Sequence, residues 1–482
     1  MMKVINFIKS NISAIVCLLV FSVITVNRII NHIPFFDEAH AWTISEQLGF
    51  WDMICEVKNE GHFFIWQVLL YPFAHSHIIP YPYPMQVLNW TFCFLALILM
   101  WWKAPFNNWI KALITFSFPF LGCYAVLARC YSIGILLLFI LAALYDKKTK
   151  YPKTYALLLI LCANTSVMAA ISASAFGLLF LYDLIKNKPL DKKNQIIVYS
   201  ILATGIVIVL LQLFNMNYFS EIASNRRPHI SIKLFRNTFV YGNLFLNGLL
   251  LFIFAVPIFR YLFESRQAFF FYLYSGSILL VFLTCVYGGS FWHSYFFYVN
   301  LIIAFWIYEK NIVKTKWYNF ACYSLCAISL IFIFHKPANK DYFPVYGPLR
   351  TWKFISIIEN DDKLKSAQII QNDGLLYEVL PYNYKKSFKV RTHCNAEKNK
   401  DYSLLLGYEN TCAVKRTIEQ AKRYPDVIKA IVDDNTYTYI DLRDYNTDKS
   451  LYIVPADGYS ILFKKYKCYD IYCFWKVEVK NE

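Results

Sequence analysis

Long apolar stretches recur along the first two-thirds of the chain, separated by short polar segments. A helix needs about 17 to 25 apolar residues to cross the hydrocarbon core of a bilayer, and many of these stretches reach that length. Backbone inside a bilayer must satisfy its own hydrogen bonds, so the stretches are predicted to be helices. We place eleven spans at residues 11–30, 84–102, 112–128, 131–146, 154–171, 173–186, 195–214, 239–259, 268–286, 292–309 and 317–335.

One further apolar stretch, residues 63–79, does not fit a span. It contains Pro72 and two histidines, and the proline-rich run 80–84 follows it. A helix that lies in the membrane interface, with its aromatic face at the headgroup boundary, fits this pattern better.

The pattern changes after residue 336, where the long apolar runs stop. Charged residues of both signs mix with strand-like stretches at Thr436–Leu442, Leu451–Val454, Ile461–Tyr466 and Phe474–Val479. Helical spacing returns at Trp352–Ile358 and Val414–Ile431. The sequence therefore predicts two domains: a transmembrane domain at 1–336, whose first external loop is 31–83, and a soluble mixed α/β domain at 337–482.

Four cysteines fall in that second domain. Outside the cytoplasm the bridges Cys394–Cys412 and Cys468–Cys473 become plausible, although four cysteines allow three pairings and free buried thiols stay an alternative.

Composition and charge agree with a polytopic membrane protein. The chain is 57% hydrophobic and 19% aromatic, with a mean hydropathy of +0.38. With eleven spans, 17 Lys and Arg fall in loops assigned to the cytoplasm and seven on the opposite side. This bias obeys the positive-inside rule, and it predicts a multi-pass protein of the cell membrane with a cytoplasmic N-terminus and an extracytoplasmic C-terminal domain. The +16 net charge then follows from topology, and no nucleic acid partner is needed.

Acidic residues are distributed unevenly along the chain. Only 12 of the 32 precede residue 336, and six of those form an acidic window: Asp37, Glu38, Glu46, Asp52, Glu56 and Glu60. Carboxylates beside a bilayer are costly unless they serve a function. A solvated loop, with Asp37 capping a helix that starts near Ala39, explains the window equally well.

A carboxylate at the outer membrane surface can take a proton from a hydroxyl acceptor as a general base. Glu60 and His62, together with Asp37 or Glu38, provide the oxygen and imidazole ligands that a divalent metal would use. A structural interfacial histidine is the competing interpretation of His62.

Several short motifs resemble those of a known superfamily. Phe36-Asp37-Glu38-Ala39 follows the first span, and Glu60-Gly61-His62-Phe63-Phe64-Ile65-Trp66 comes later in the same loop. Both resemble the first external loop of GT-C glycosyltransferases, of the type of protein O-mannosyltransferases and the aminoarabinose transferase of lipid A (glycosyltransferase family 39-like). Further similarities are Gln86-Val87-Leu88-Asn89-Trp90, Ala128-Arg129-Cys130-Tyr131, Tyr287-Gly288-Gly289 and Trp292-His293.

The resemblance implies an inverting transfer of a sugar from a polyprenyl-phosphate-linked donor to a glycan, lipid or protein acceptor at the outer face. It makes Asp37 the general base and Glu38 a residue that orients the acceptor or supports Asp37. Glu60 joins the substrate-binding residues. No cofactor is required, and a divalent metal is an option.

The cations and histidines receive binding roles. Arg129 is expected to bind the carrier phosphate, because its fork of donors matches phosphate oxygens; an anchor that snorkels to headgroups is the alternative. His62 and His293 are expected to contact the phosphate or the acceptor. Arg226 and Arg227 lie in a loop long enough for a gate or a donor-binding element, or for a lipid-headgroup patch.

Two other classes of function stay open. A transporter or lipid flippase of envelope precursors would carry intramembrane charges and repeated, broken helices, whereas the charges here fall at helix ends and no repeat is visible. A non-catalytic membrane scaffold would bind its partner through the C-terminal domain, but it gives no reason for the acidic window.

Overall fold

We describe the fold from a computed structural model of the chain. It describes residues 2–32, 34, 36–56, 62–76, 78–187, 190–215, 255–287, 291–309 and 316–334, and, in the C-terminal region, 356–358, 360–365, 368–370, 389–391, 422, 425, 429, 438–441, 449–469 and 472–481. The chain divides into two compact units. Unit 1 comprises Met1–Asn31, Ile54–Phe73 and Ile78–Phe343, and unit 2 comprises His32–Met53, Ala74–His77 and Pro344–Glu482. The predicted domain boundary at 336 lies outside the described residues and stays a prediction.

Most described residues are helical. The α-helices are α1 (Met2–Ile30), α2 (Phe36–Gln47), α3 (Phe50–Glu56), α4 (Ile65–Ser76), α5 (Tyr83–Lys103), α6 (Asn108–Phe116), α7 (Tyr131–Ala143), α8 (Pro152–Ala163), α9 (Val167–Asn187), α10 (Lys192–Asn215), α11 (Arg266–Val281), α12 (Phe291–Ser294), α13 (Phe296–Glu309), α14 (Lys316–Phe334) and α15 (Asp362–Lys365). Short π-helical segments cover Pro119–Tyr124 and Phe282–Val286, and a 3-10 turn covers Tyr145–Lys147.

Five of the described helices are long and apolar enough to cross a membrane. They are Asn11–Ile30, Tyr83–Lys103, Val167–Asn187, Lys192–Phe214 and Arg266–Val286. Each coincides with a predicted span, and shorter apolar helices occur at Tyr131–Ala143, Pro152–Ala163 and Asn319–Ile331. The helical class with several apolar helices is thus confirmed, whereas the count of eleven spans and the topology stay predictions.

Two of the predicted spans are wrong in their boundaries. The span at 154–171 breaks at Asn164–Ser166, where Thr165 Oγ1 donates to the Cys162 carbonyl at 2.8 Å and Ser166 Oγ accepts from the Ala169 amide. Polar side chains of this kind compete with the helical ladder for backbone groups, so α8 ends and α9 begins there.

The span at 112–128 is interrupted in the same way. Ser117 Oγ donates to the Ile114 carbonyl at 2.7 Å, α6 ends at Phe116, and a π-helical segment begins at Pro119. Proline has no amide hydrogen, so it can begin such a segment but cannot continue the ladder of α6.

The segment predicted to lie in the interface is helical. Helix α4 has 12 residues with Pro72 inside it. At 1.5 Å per residue it is about 18 Å long, too short to cross a hydrocarbon core of about 30 Å. Its placement in the membrane interface stays a prediction.

The helices of unit 1 pack closely where small residues permit it. A Cβ on Gly134 of α7 would stand 2.9 Å from Thr165 Oγ1 and 3.0 Å from Ala169 Cβ, so glycine is needed where α7 meets the junction of α8 and α9. In the connection between α7 and α8, Lys148 forms a buried ion pair with Asp183 of α9 at 2.8 Å, and its ammonium lies 3.6 Å from the centre of the Tyr145 ring.

The described strands form one six-stranded mixed sheet in the C-terminal part of unit 2. They are β1 (Gln368–Ile370), β2 (Lys389–Arg391), β3 (Thr438–Asp441), β4 (Leu451–Ala456), β5 (Tyr459–Tyr469) and β6 (Tyr472–Asn481). Their order is β2-β1-β3-β6-β5-β4, in which β2, β1 and β3 are parallel and the other neighbours antiparallel. All four predicted strands are therefore confirmed.

A disulfide and a buried carboxylate stabilise one end of the sheet. Cys468 and Cys473 pair at the β5–β6 hairpin, as predicted, while Cys394 and Cys412 lie outside the described residues. Asp361 accepts hydrogen bonds from the Tyr466 hydroxyl at 3.0 Å and the Tyr469 hydroxyl at 2.7 Å. Asp361 also accepts from the first amides of α15, and these donors hold the pKa of its carboxyl below the ordinary value against the effect of burial.

Candidate functional site

Three aromatic side chains from distant parts of the sequence meet inside unit 1. The hydroxyl of Tyr131 lies 3.0 Å from His62 Nε2 and 2.7 Å from His293 Nε2. The Tyr131 ring stands edge-on to both imidazoles, at 5.4 Å between ring centres in each case. We call these three residues the His–Tyr–His cluster. All three side chains are buried, with His62 8% exposed and the other two 1%.

Each member of the cluster lies within a helix or a few residues before one. His62 lies three residues before α4, Tyr131 is the first residue of α7, and His293 belongs to the single turn of α12. The helical backbone of α7 and α12 thus sets the direction of the Tyr131 and His293 side chains.

The buried Tyr124 forms three hydrogen bonds that hold neighbours of the cluster in place. Its carbonyl accepts from Asn89 Nδ2 at 2.9 Å and from Ser132 Oγ at 2.6 Å, and its hydroxyl donates to the Trp292 carbonyl at 2.8 Å. One buried tyrosine thus joins α5, α7 and α12, and it fixes the residues that neighbour Tyr131 and His293. Of the motif residues, Asn89 acts here through its side-chain amide and Trp292 through its backbone carbonyl.

A buried cation lies near the cluster. Arg129 is 5% exposed, and its charge acts on His62. Burial holds the pKa of His62 well below its ordinary range, and the neighbouring Arg129 guanidinium and His293 imidazole lower the pKa further. His62 is therefore a neutral imidazole at physiological pH, suited to hydrogen bonding rather than to ion pairing.

The two carboxylates predicted to be catalytic lie in the first turn of α2, in unit 2. Helix α2 begins at Phe36, three residues before the predicted start, and Asp37 and Glu38 suit the positive end of its dipole. They differ in burial: Asp37 is half-buried, whereas Glu38 is fully buried and bonded to His32 Nε2 at 2.9 Å. Glu38 thus has a structural partner, which favours the supporting role among the two that we predicted for it.

Helix α2 has one further carboxylate, Glu46, and its pKa is raised. Burial raises the pKa of Glu46 to about 7, and a hydrogen bond from the Trp42 side chain opposes this in part. Near neutral pH, Glu46 therefore exchanges a proton in the range that acid–base chemistry uses. Sequence analysis had treated Glu46 only as part of the acidic window.

The remaining predicted site residues are not all described. Glu60, Arg226 and Arg227 lie outside the described residues, so their predicted roles stay predictions. In the described part of the chain, no three His, Cys, Asp or Glu side chains come together as a metal site would require. Glu38 is bonded to His32 and His62 Nε2 to Tyr131, while Glu60 lies outside the described residues, so the predicted divalent metal site stays a prediction.

Two residues that sequence reasoning did not select belong to these arrangements. Tyr131 closes the tetrapeptide that we quoted for Arg129, and its position in that motif was the available signal. His32 lies six residues before Glu38, and no pattern in the sequence marks it as a partner.

No protein-family model matches the chain, and no curated protein matches it. The functional argument therefore rests on the residues themselves.

Proposed function

We propose that the protein is an integral membrane glycosyltransferase that moves a sugar from a polyprenyl-phosphate-linked donor to an acceptor, with inversion and with Asp37 as the general base. The observation that carries the proposal is the His–Tyr–His cluster. It unites residues of three motifs that resemble GT-C sequences, although they lie 69 and 162 residues from one another along the chain. A scaffold would have no need to bring these three motifs to one buried, polar point.

The proposed chemistry gives Asp37, Arg129 and Glu38 one role each. Asp37 takes the proton of the acceptor hydroxyl as the acceptor oxygen forms its bond to C1 of the sugar. The bond between C1 and the phosphate oxygen breaks with its electrons staying on the carrier phosphate. Arg129 stabilises the charge of that phosphate, since guanidinium donors match phosphate oxygens. Glu38, held by His32, fixes the first turn of α2 that carries Asp37.

The half-buried position of Asp37 supports its choice over Glu38. A general base must come within hydrogen-bond reach of the hydroxyl that it deprotonates. Glu38 is fully enclosed, whereas part of the Asp37 side chain is exposed.

The test is sugar transfer by the purified, reconstituted protein. It would be incubated with a panel of polyprenyl-phosphate sugars and cell-envelope acceptors, and the products identified by mass spectrometry. Asp37→Asn is expected to lower the transfer rate by about 100-fold to 10,000-fold, the usual contribution of a general base, while membrane abundance stays near normal.

Asp52→Asn provides the matched control. It makes the same change at an exposed carboxylate of the acidic window and should leave the rate unchanged. Transfer by Asp37→Asn at the wild-type rate would show that Asp37 is not the base. If no donor in the panel reacts and proteoliposomes carry a solute flux instead, the transporter class replaces this proposal.

A further inference from the structure

In the His–Tyr–His cluster, two imidazole nitrogens share one hydroxyl group. A tyrosine hydroxyl has one hydrogen, yet the Tyr131 oxygen lies within hydrogen-bond distance of two imidazole nitrogens, both Nε2. It can donate to only one of them, so it must accept from the other. Two neutral histidines in this arrangement therefore carry their protons on different nitrogens, one on Nε2 and the other on Nδ1.

The two distances indicate which way the protons lie. An O–H donor typically stands about 2.7–2.8 Å from its acceptor, and an N–H donor about 2.9–3.0 Å. The 2.7 Å contact thus fits Tyr131 donating to His293, and the 3.0 Å contact fits His62 Nε2–H donating to Tyr131. In this assignment, His62 keeps a lone pair on Nδ1.

The Nδ1 atom of His62 is buried, and none of the described residues forms a hydrogen bond with it. Leaving a buried polar atom unpaired costs free energy, so a hydrogen-bond donor supplied by a ligand at this position is favoured. The low pKa of His62 keeps the ring neutral at neutral pH, so with its one ring proton on Nε2 the Nδ1 atom accepts and does not donate.

We propose that Tyr131 is a positioning residue that holds His62 and His293 in opposite tautomers, so that His62 Nδ1 accepts a hydrogen bond from a hydroxyl of the donor sugar. This rests on the proposed function, which supplies the lipid-linked sugar. A deprotonated phosphate has only acceptor oxygens and would repel a lone pair, so His62 recognises the sugar and Arg129, which lies close enough to act on His62, recognises the phosphate. Sequence analysis had left phosphate and acceptor open as the contacts of His62.

The first test measures the protons directly in the full-length protein. Histidine labelled with ¹⁵N gives separate nitrogen shifts for the two tautomers, and loss of one signal pair in His62→Gln assigns His62. The expected result is His62 with its proton on Nε2 and His293 with its proton on Nδ1. The proposal is overturned if His62 carries its proton on Nδ1, or if the two residues share one tautomer.

The second test separates sugar recognition from phosphate recognition. A glutamine at position 62 can still reach Tyr131, because its amide group replaces Nε2, but it has no acceptor in the place of Nδ1. His62→Gln should therefore bind polyprenyl-phosphate sugars about tenfold more weakly, the loss of one buried hydrogen bond, and bare polyprenyl phosphate within about twofold of wild type. The variant His62→Asn places its amide oxygen near the position of Nδ1, so it should retain more affinity for the sugar-bearing carriers than His62→Gln does.

The outcomes separate this inference from the proposed function. Equal weakening for bare and sugar-bearing carriers means that His62 contacts the phosphate, which refutes the inference and leaves the glycosyltransferase proposal standing. A wild-type protein that binds bare and sugar-bearing carriers equally well also refutes it. If wild type binds neither carrier, both proposals fail together.

Discussion

Replacing Tyr131 by phenylalanine removes a single oxygen and affects two buried histidines. Both Nε2 atoms lose the partner that they have at 3.0 Å and 2.7 Å, in a cluster whose members are at most 8% exposed. A buried polar atom left unpaired costs about 1–3 kcal/mol, so two of them lower the free energy of unfolding by about 2–6 kcal/mol. The ring itself remains, so no cavity larger than one hydroxyl adds to this cost.

The assay is reversible unfolding in mixed micelles of a mild detergent and sodium dodecyl sulfate, followed by circular dichroism. Tyr182→Phe is the matched control, because that hydroxyl is on an exposed residue and accepts only an exposed hydrogen bond from Lys186 at 3.2 Å. Its effect should be below about 0.5 kcal/mol. If both variants unfold at the wild-type detergent fraction, the Tyr131 hydroxyl does not hold the two histidines, and the cluster as described is refuted.

Three further predictions concern other parts of the chain. Lys148→Met should lower the free energy of unfolding by about 3–5 kcal/mol, because it leaves Asp183 buried and unpaired. Adding Asp183→Leu should recover most of the lost stability, and a double variant as unstable as Lys148→Met would contradict this prediction. Because the pKa of Glu46 is raised above the ordinary 4.5 to about 7, folding binds a proton, and the stability that Glu46 contributes at acid pH is lost as pH rises through about 7. Glu46→Gln should therefore reduce the change in the free energy of unfolding between pH 5 and 8, and an unchanged pH profile would contradict this prediction. Replacing Cys468 and Cys473 by serine should lower the free energy of unfolding of unit 2 by about 2 kcal/mol relative to oxidised wild type, which is the loop-closure entropy of so short a loop. Denaturant titration measures this, with reduced wild type as the second reference, and no difference from oxidised wild type would count against the bridge.

The apolar pattern predicted the long helices well and their breaks poorly. A window of about 20 residues averages over the three polar residues 164–166, so the run from 154 to 186 divides in the wrong place. The break depends on which backbone groups the Thr165 and Ser166 side chains bond, and that is decided by local geometry rather than by mean hydropathy. The strands of the sheet were easier to predict, because β-branched and aromatic residues alternate there between polar turns.

The candidate site shows a different limit. Short motifs indicated Arg129, His62 and His293 one at a time, and nothing in a linear sequence says that side chains 69 and 162 residues apart share one hydroxyl. Such contacts depend on how α4, α7 and α12 pack, which is a tertiary property. Tyr131 was therefore missed as a member of the site although it stood inside a quoted motif.

The acidic pair Asp37-Glu38 shows how one helix gives two adjacent carboxylates different tasks. Neighbouring residues on an α-helix point about 100° apart, so they cannot share one environment. Glu38 is directed into the interior, where His32 pairs with it at 2.9 Å, and Asp37 keeps a partly exposed side chain. A buried carboxylate that loses a partner is strongly destabilising, by about 3–5 kcal/mol, so the hydrogen bond from His32 stabilises Glu38 in its buried position. It follows that substitutions at Glu38 or His32 should reduce folded protein, whereas, of these three residues, a loss of transfer with normal abundance is expected only at Asp37.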